Sequence, residues 1–203
     1  MYADIHRGNR ITRIHAFASK ARGLQDDART QGGAKHPGAA AKFNLGDIVR
    51  SALACESGET TIQQHDTSLL RPHSLGLRVQ GTKGLWMDLN QSVPIEGRSK
   101  PHEWEAFKSY QDRYDHLMWK RYEGVAAGAG HGGMDFFVIH AFVEALKADA
   151  PMPIDIYDAV AWSAITPLSE KSIPQNFQTL DFPDFTGGLW KTHKPIFGFD
   201  ERY

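Results

Sequence analysis

Apolar and polar positions alternate with period two through much of the first hundred residues and give way to helical spacing in the second hundred. Arg10–Ala18 (RITRIHAFA) sets Ile11, Arg13, His15 and Phe17 against Thr12, Ile14 and Ala16, which reads as a strand. Asp47–Cys55 and Thr60–Asp66 flank Glu56-Ser57-Gly58-Glu59 and predict a hairpin. Ser74–Gln80 and Leu85–Asn90 flank Gly81-Thr82-Lys83-Gly84, where a glycine at each end permits the positive φ of a tight turn, and predict a second. Successive hairpins without room for helical crossovers imply a mainly antiparallel sheet with one face left to be covered.

Gln31–Gly38 reads as a loop, and Gln91–Pro101, with two prolines and a glycine, as an ordered crossing into the helical half. Short amphipathic runs surround Trp104, Phe107 and Tyr110, and then Leu117, Met118, Trp119 and Tyr122. Asp135–Ala148 predicts a stronger helix, apolar at nine of the eleven positions from Phe136 to Leu146 and therefore expected to be buried nearly all round. Asp155 is placed to cap a helix over Ile156–Ile165, with Asp158 three residues on, and Pro167 is expected to kink or stop it. From Pro174 onward, Pro183, Gly187, Gly188 and Pro195 among scattered aromatics predict an irregular strap. The segregation of strands and helices fits an α+β class: one domain over 1–203, with an open, mainly antiparallel sheet covered by helices on one face, strand-rich to residue 100, helix-rich over 101–175 and strap-like beyond.

At 203 residues, such a chain can bury a real core. Its 23 Lys+Arg balance 24 Asp+Glu, so no net field of either sign recruits nucleic acid or an anionic membrane by bulk charge. The strongest continuous apolar stretch, Phe136–Ile139, is far below the ~20 residues that span a bilayer. The N-terminal residues from Met1 to Arg7 are polar without an apolar signal core. A single cysteine, Cys55, excludes an intramolecular disulfide framework and a Cys-rich metal site, and without an obvious activating group it reads as an inert packed thiol.

Gly128-Ala129-Gly130-His131-Gly132-Gly133 satisfies the G-x-G-x-x-G dinucleotide fingerprint and opens a helix. The fingerprint also requires a buried strand before it and an acid after the next strand, whereas Tyr122–Ala127 is too small for a core strand. A close-packing connector is one alternative. The other is a ligand loop whose amides, with His131 beside them, serve an anion or sugar oxygens. His131, Asp135 and His140 are metal ligands by type, but no pair of imidazoles is spaced for one helical face, so no metal is expected. His140 and Glu144 suggest a hydrogen-bonded polar stripe. Five tryptophans offer possible sugar platforms with core packing as their default role. Arg71-Pro72-His73, a proline-fixed turn before the second hairpin, projects two polar side chains for a ligand.

Several strings, in order along the chain, resemble the C-terminal part of glycoside hydrolase family 109, the NAD-dependent α-N-acetylgalactosaminidases of the wider Gfo/Idh/MocA oxidoreductase superfamily. They include Arg7-Gly8-Asn9-Arg10, Ala18–Leu24, Leu45–Val49, His65-Asp66-Thr67, Arg71-Pro72, Val79–Thr82, Gly84-Leu85-Trp86, Gly128–Asp135, Ile154–Asp158, Thr166–Ile173 and Pro183–Thr186.

The resemblance implies a two-domain parent: a Rossmann domain that holds NAD, and an α+β domain, the one present here, whose open sheet contributes to the substrate pocket and the oligomer contact. It implies glycoside hydrolysis by transient oxidation of the sugar, elimination of the aglycone and addition of water, with the cofactor carrying the difficult step. The family's Tyr-Pro-Thr-His segment and an earlier functional tyrosine would precede Met1, so no catalytic residue and no cofactor-binding residue transfers. The family's tyrosine after Arg-Pro corresponds to His73, a smaller side chain that charges near neutral pH. His73 is the one substrate-contacting position that the resemblance transfers, and Arg71, His131 and Asp135 join it as substrate-binding candidates from their own position and chemistry. The expected ligand is an N-acetylgalactosamine-type glycoside or a related sugar. The expected assembly is a homo-oligomer or association with a nucleotide-binding domain, and NAD is not expected on this chain alone. Alternatives are the C-terminal domain of a sugar or cyclitol oxidoreductase, or a non-catalytic carbohydrate-binding or assembly domain.

Overall fold

The structure is a computed structural model that describes residues 6–66 and 68–194; Thr67 and Pro195 lie outside the described residues. In chain order the elements are β1 (Ile11–Ala18), α1 (Gly23–Gly32), β2 (Ile48–Cys55), β3 (Thr60–Asp66), β4 (Arg78–Gln80), β5 (Leu85–Met87), β6 (Ser92–Val93) and β7 (Glu105–Ala106). They continue as α2 (Lys108–Tyr114), α3 (Leu117–Ala126), α4 (Met134–Lys147), α5 (Ile156–Ser172) and β8 (Leu180–Asp181). The class is α+β, and every strand pair named is antiparallel. The described residues gather into two compact units, one formed by residues up to 70 together with those from 141 onward, the other by 71–140. The two hairpins, expected to share a sheet, fall into separate four-stranded sheets ordered β3-β2-β1-β8 and β4-β5-β6-β7.

In the first unit, one face of the sheet is covered by α5. Ile11, Ile14 and Leu53 from the strands meet Ala161 and Ile165 of the helix and Phe182 of the tail, with Trp162, Leu168 and Phe185 around them. Strict alternation would put Ile11 beside Arg13 on the outer face. The register instead shifts between Ile11 and Arg13, a bulge that turns Ile11 onto the core side with Ile14 and Ala16. The start of α5 is fixed by Asp155, whose carboxylate accepts from the amides of Tyr157 and Asp158 while Asp158 accepts from the Asp155 amide. Asp158, 1% exposed, also receives two hydrogen bonds of 2.9 Å from Arg7 Nη1, which pin the residues before β1 to the helix. At the far end, the fully buried hydroxyl of Ser172 accepts from the Ala16 amide at 3.1 Å and donates to the Gln178 carbonyl at 2.7 Å, serving an amide that the short β8 does not reach.

Pro167 does not stop α5, which runs on to Ser172. The packing of Ile165 and Leu168 against the core outweighs the lost amide and ring clash, which cost about 3 kcal/mol in an unsupported helix. The tail is not wholly irregular, since Leu180–Asp181 pairs with β1. Gln31–Gly38 is not all loop, since α1 continues to Gly32 and a short 3-10 turn spans Pro37–Ala39.

In the second unit, the strand expected over Ser74–Gln80 shortens to Arg78–Gln80, because Gly76 turns into the left-handed region at φ 59. Trp86 meets Phe107 edge-on at 5.8 Å, and Trp119 stacks on Phe137 at 5.0 Å. The largest departure is α4, whose residues up to His140 belong to this unit and whose remainder belongs to the first. Only Ala145 is buried, while Met134, Val138, Ile139, Phe142 and Leu146 are each more than half exposed. The aromatic contacts of the helix gather at its start, where Tyr122 meets Phe136 and His140, and Phe136 stacks on His140 at 5.0 Å. His140 therefore belongs to an aromatic cluster, and Glu144 pairs with Lys147 at 2.8 Å. Among the described residues no helix is long and apolar enough to cross a membrane.

Candidate functional site

The glycine string lies between two helices. α3 ends at Ala126, a 3-10 turn covers His131–Gly133, and α4 follows directly. The turn is possible because Gly128, Gly132 and Gly133 adopt φ of 93°, 68° and 99°. Gly133 packs so closely that a Cβ would stand 3.3 Å from the Ala126 methyl and carbonyl and from the Trp119 ring. His131 is itself left-handed at φ 53, a conformation costing about 1–3 kcal/mol for a residue with a side chain. That backbone brings its ring onto the next turn, where Nδ1 lies 2.9 and 3.0 Å from the two oxygens of Asp135. A carboxylate only accepts, so Nδ1 carries the proton and donates. Nε2 is left as the free ring nitrogen on an exposed side chain, the arrangement by which a carboxylate fixes the orientation of a working imidazole.

These residues do not fit NAD. The element before the glycines is α3 where the dinucleotide motif needs a strand, and the Gly133 and Asp135 amides donate to the Ala129 and Gly130 carbonyls. The Asp135 carboxylate sits over Gly130, its Oδ2 2.2 Å from where a Cβ would stand. A negative group already occupies the mouth of the loop, and a pyrophosphate there would meet like charge. The string is a connector that positions His131 and Asp135.

Arg71-Pro72-His73 is an exposed stretch leading towards β4. Arg71 folds over its own loop, donating to the carbonyls of Pro72 and Ser74, each at 3.3 Å. His73 is exposed. Among the described residues no hydrogen bond or ion pair joins Arg71 or His73 to His131 or Asp135, so the structure pairs two of the four predicted residues and leaves the other two on a separate loop of the same unit.

The first unit holds polar groups that the sequence did not single out. Arg10 pairs with Glu56 at 3.3 Å and lies over the Trp190 ring at 5.7 Å, with Lys191 over the same ring at 5.6 Å. This cation-flanked indole is therefore no open sugar platform. Beside it, burial works against the charge of Asp184, but hydrogen bonds from the Thr186 hydroxyl and amide and the Gly188 amide, with Arg10 nearby, hold its carboxyl below the usual range. Burial, reinforced by Glu59, pushes the Cys55 thiol up, away from the nucleophilic thiolate. His6 is almost fully buried with neither ring nitrogen hydrogen-bonded; desolvation lowers its pKa against the opposing pull of Asp158, Asp184 and Asp155. Among the described residues no three His, Cys, Asp or Glu side chains group to hold a metal ion.

Comparison with known proteins decides the lineage. The family model described as "Glycosyl hydrolase 109, C-terminal domain" matches residues 1–192. The chain belongs to glycoside hydrolase family 109. It is 68% identical, over all of its length and 45% of the relative's, to a glycosyl hydrolase family 109 protein of Stenotrophomonas maltophilia (strain K279a). It is 48% identical, over 96% of its length and 42% of the relative's, to an α-N-acetylgalactosaminidase of Tannerella forsythia. The family 109 chain thus spans under half the length of these relatives. Its fold is similar to that in the crystal structure of an oxidoreductase domain protein from Kribbella flavida, with a TM-score of 0.54 at 13% identity over 87% of this chain and 47% of that one. Arg71, His131 and Asp135 all fall within the matched segment, as does His73.

Proposed function

We propose that this chain is the substrate-binding part of an NAD-dependent glycosidase that acts on an N-acetylgalactosamine-type glycoside. The observation that carries the reading is the family 109 match across residues 1–192, together with 48% identity to a protein named α-N-acetylgalactosaminidase. Hydrolysis by transient oxidation and elimination requires NAD, which the Gly128–Gly133 string does not fit, so the cofactor is assigned to a Rossmann domain joined to this one. This chain's own part is to bind and orient the sugar. His131, held through Nδ1 by Asp135, presents Nε2 as a hydrogen-bond or proton acceptor for a sugar hydroxyl. Arg71 and His73 supply further polar contacts from their loop, which the carbonyl-bound Arg71 holds folded. The uncovered apolar side of α4 supports association, with a further copy or with the nucleotide-binding domain.

The test is chemical-shift mapping of the isotope-labelled chain with N-acetylgalactosamine, beside a calorimetric titration of NAD⁺. Amides of 71–73 and 131–135 are expected to respond to the sugar, and His131→Ala to weaken binding by about tenfold, or ~1.4 kcal/mol. NAD⁺ is expected to give no heat. A sugar response that bypasses both loops overturns the assignment, and micromolar NAD⁺ binding would return the glycine string to a cofactor role.

A further inference from the structure

The first unit contains a cavity of about 460 Å³ between the edge strand β3 and helix α5. It exists because α5 covers β1 and β2 but leaves the inner side of β3 open. Core-side Leu53, Ser51 and Val49 stand opposite Thr61, Gln63 and His65 of β3, so the sheet turns from apolar to polar at the cavity. Leu45, Val49 and Ile165 supply apolar walls, and Gln63, His65 and Glu170 a polar rim. The volume is within the roughly 300–1,000 Å³ typical of small-molecule sites, and so is the mixture of apolar wall with a few polar groups.

Hydrogen-bond accounting shows what the site lacks. Ser169 and Ser51 are 5% and 4% exposed, and their hydroxyl oxygens lie 2.7 Å apart. The single Ser169 proton is directed to the Ile165 carbonyl, also at 2.7 Å, so the proton between the two serines must come from Ser51. Ser51 Oγ then keeps its acceptor capacity, and among the described residues nothing donates to it. The carboxylate of Glu170 has no cationic partner among the described residues either. A buried hydroxyl acceptor and, at the solvent-exposed rim, the Glu170 carboxylate line one cavity that no Lys or Arg lines.

We infer that this cavity binds a small protonated amine carrying hydroxyl groups and an apolar face, of which an amino sugar is the simplest example. The ammonium group pairs with Glu170, a donor satisfies Ser51 Oγ, the amide of Gln63 serves ring hydroxyls, and the C–H face lies on Val49 and Ile165. A uronic acid is rejected by Glu170. The inference is independent of the reading above, because every residue that lines the cavity belongs to the first unit, while Arg71, His73, His131 and Asp135 belong to the second.

The experiment is chemical-shift mapping with methyl galactosaminide, methyl N-acetylgalactosaminide and sodium galacturonate as the three probes. Amides over 49–51, 63–65 and 166–170 are expected to move with the amino sugar, at an affinity at least about fivefold above the N-acetyl compound, or ~1 kcal/mol. The uronate is expected to leave them unmoved. Glu170→Gln, on an exposed helical position, is expected to abolish the preference between the first two probes. Thr166→Trp, which fills the cavity from an exposed position, is expected to abolish binding with the thermal midpoint retained. Equal response to all three probes, response confined to 71–73 and 131–135, or binding unaffected by Thr166→Trp overturns the inference. A response of 71–73 and 131–135 with the cavity silent would leave the function proposed above standing while this site falls.

Discussion

Asp158→Asn is a sharp test of what joins the N-terminal residues to the sheet unit. Asp158 and Arg7 have side chains only 1% and 3% exposed, and both carboxylate oxygens of Asp158 accept from Nη1 at 2.9 Å. Asparagine keeps the shape and an oxygen for the Asp155 amide, but it removes the negative charge that faces the buried guanidinium at 2.9 Å, while the Asp155 carboxylate stands farther off at 3.4 Å. Removing one partner of a buried ion pair costs about 3–5 kcal/mol, chiefly because the other charge stays desolvated. Against the ~5–15 kcal/mol stability of an ordinary domain, that is a large fraction. Urea unfolding followed by far-ultraviolet circular dichroism gives the loss directly, with the slope on denaturant unchanged if only the folded state is affected. The paired replacement Arg7→Met with Asp158→Leu removes both charges and is expected to be less destabilised than Asp158→Asn, losing mainly the cap, about 1 kcal/mol. A loss below about 1 kcal/mol for Asp158→Asn would refute the reasoning, since a pair worth so little behaves as a solvated surface contact. So would a paired variant less stable than the single one.

Three further outcomes are expected. His6 has a folded-state pKa below its ordinary 6.5, lowered first by burial, so its contribution is fully present above pH 6.5 and is lost as the pH falls from there towards the folded value. Melting temperature against pH should show this slope, and His6→Asn, which tolerates φ 68, should flatten it; an unchanged slope would assign the titration to another group. Gly133→Ala forces a side chain into φ 99 and against Ala126 and Trp119, and a loss of about 1–2 kcal/mol is expected by thermal melting, with no loss counting against the close packing of α3 on α4. Val138→Ser with Phe142→Ser on the exposed apolar side of α4 tests the proposed association: the variant should sediment more slowly than the unsubstituted chain, and an unchanged profile would remove this face from the proposal.

What could be read from the sequence was the part governed by local rules. The strands Ile48–Cys55 and Thr60–Asp66 and the capping pair Asp155 and Asp158 stand where spacing put them, because alternation and caps act over a few residues. The bulge after Ile11 escaped, since one inserted residue reverses a two-residue period without changing composition. The span of α5 through Pro167 escaped because the deciding energy is contact with residues some 150 positions earlier in the chain. α4 misled for the opposite reason: an apolar run predicts burial nearly all round, whereas among its residues only Ala145 is buried and Val138, Ile139, Phe142 and Leu146 stay more than half exposed. Among the site residues, the spacing of His131 and Asp135 was visible but their pairing was not, as it depends on the left-handed backbone of His131. Ser51 and Ser169, 118 residues apart, leave no trace in any local pattern.

The glycine string shows how far a motif depends on its setting. After a buried strand, such glycines aim free amides at a pyrophosphate, and any acidic side chain within the loop would repel it. Here the same spacing follows a helix, its amides turn inward to the Ala129 and Gly130 carbonyls, and the carboxylate of Asp135 fills the space above Gly130. Each change that unfits the loop for a dinucleotide fits it to hold an imidazole. Gly132 and Gly133 absorb the positive φ that lets the chain swing from His131 into α4, and the carboxylate that repels phosphate is the one that orients Nδ1. Replacing Asp135 by Asn would test the two roles together. It removes the repulsion without supplying a strand, so NAD⁺ binding should not appear, while the sugar response of His131 should weaken because its ring is no longer held by charge.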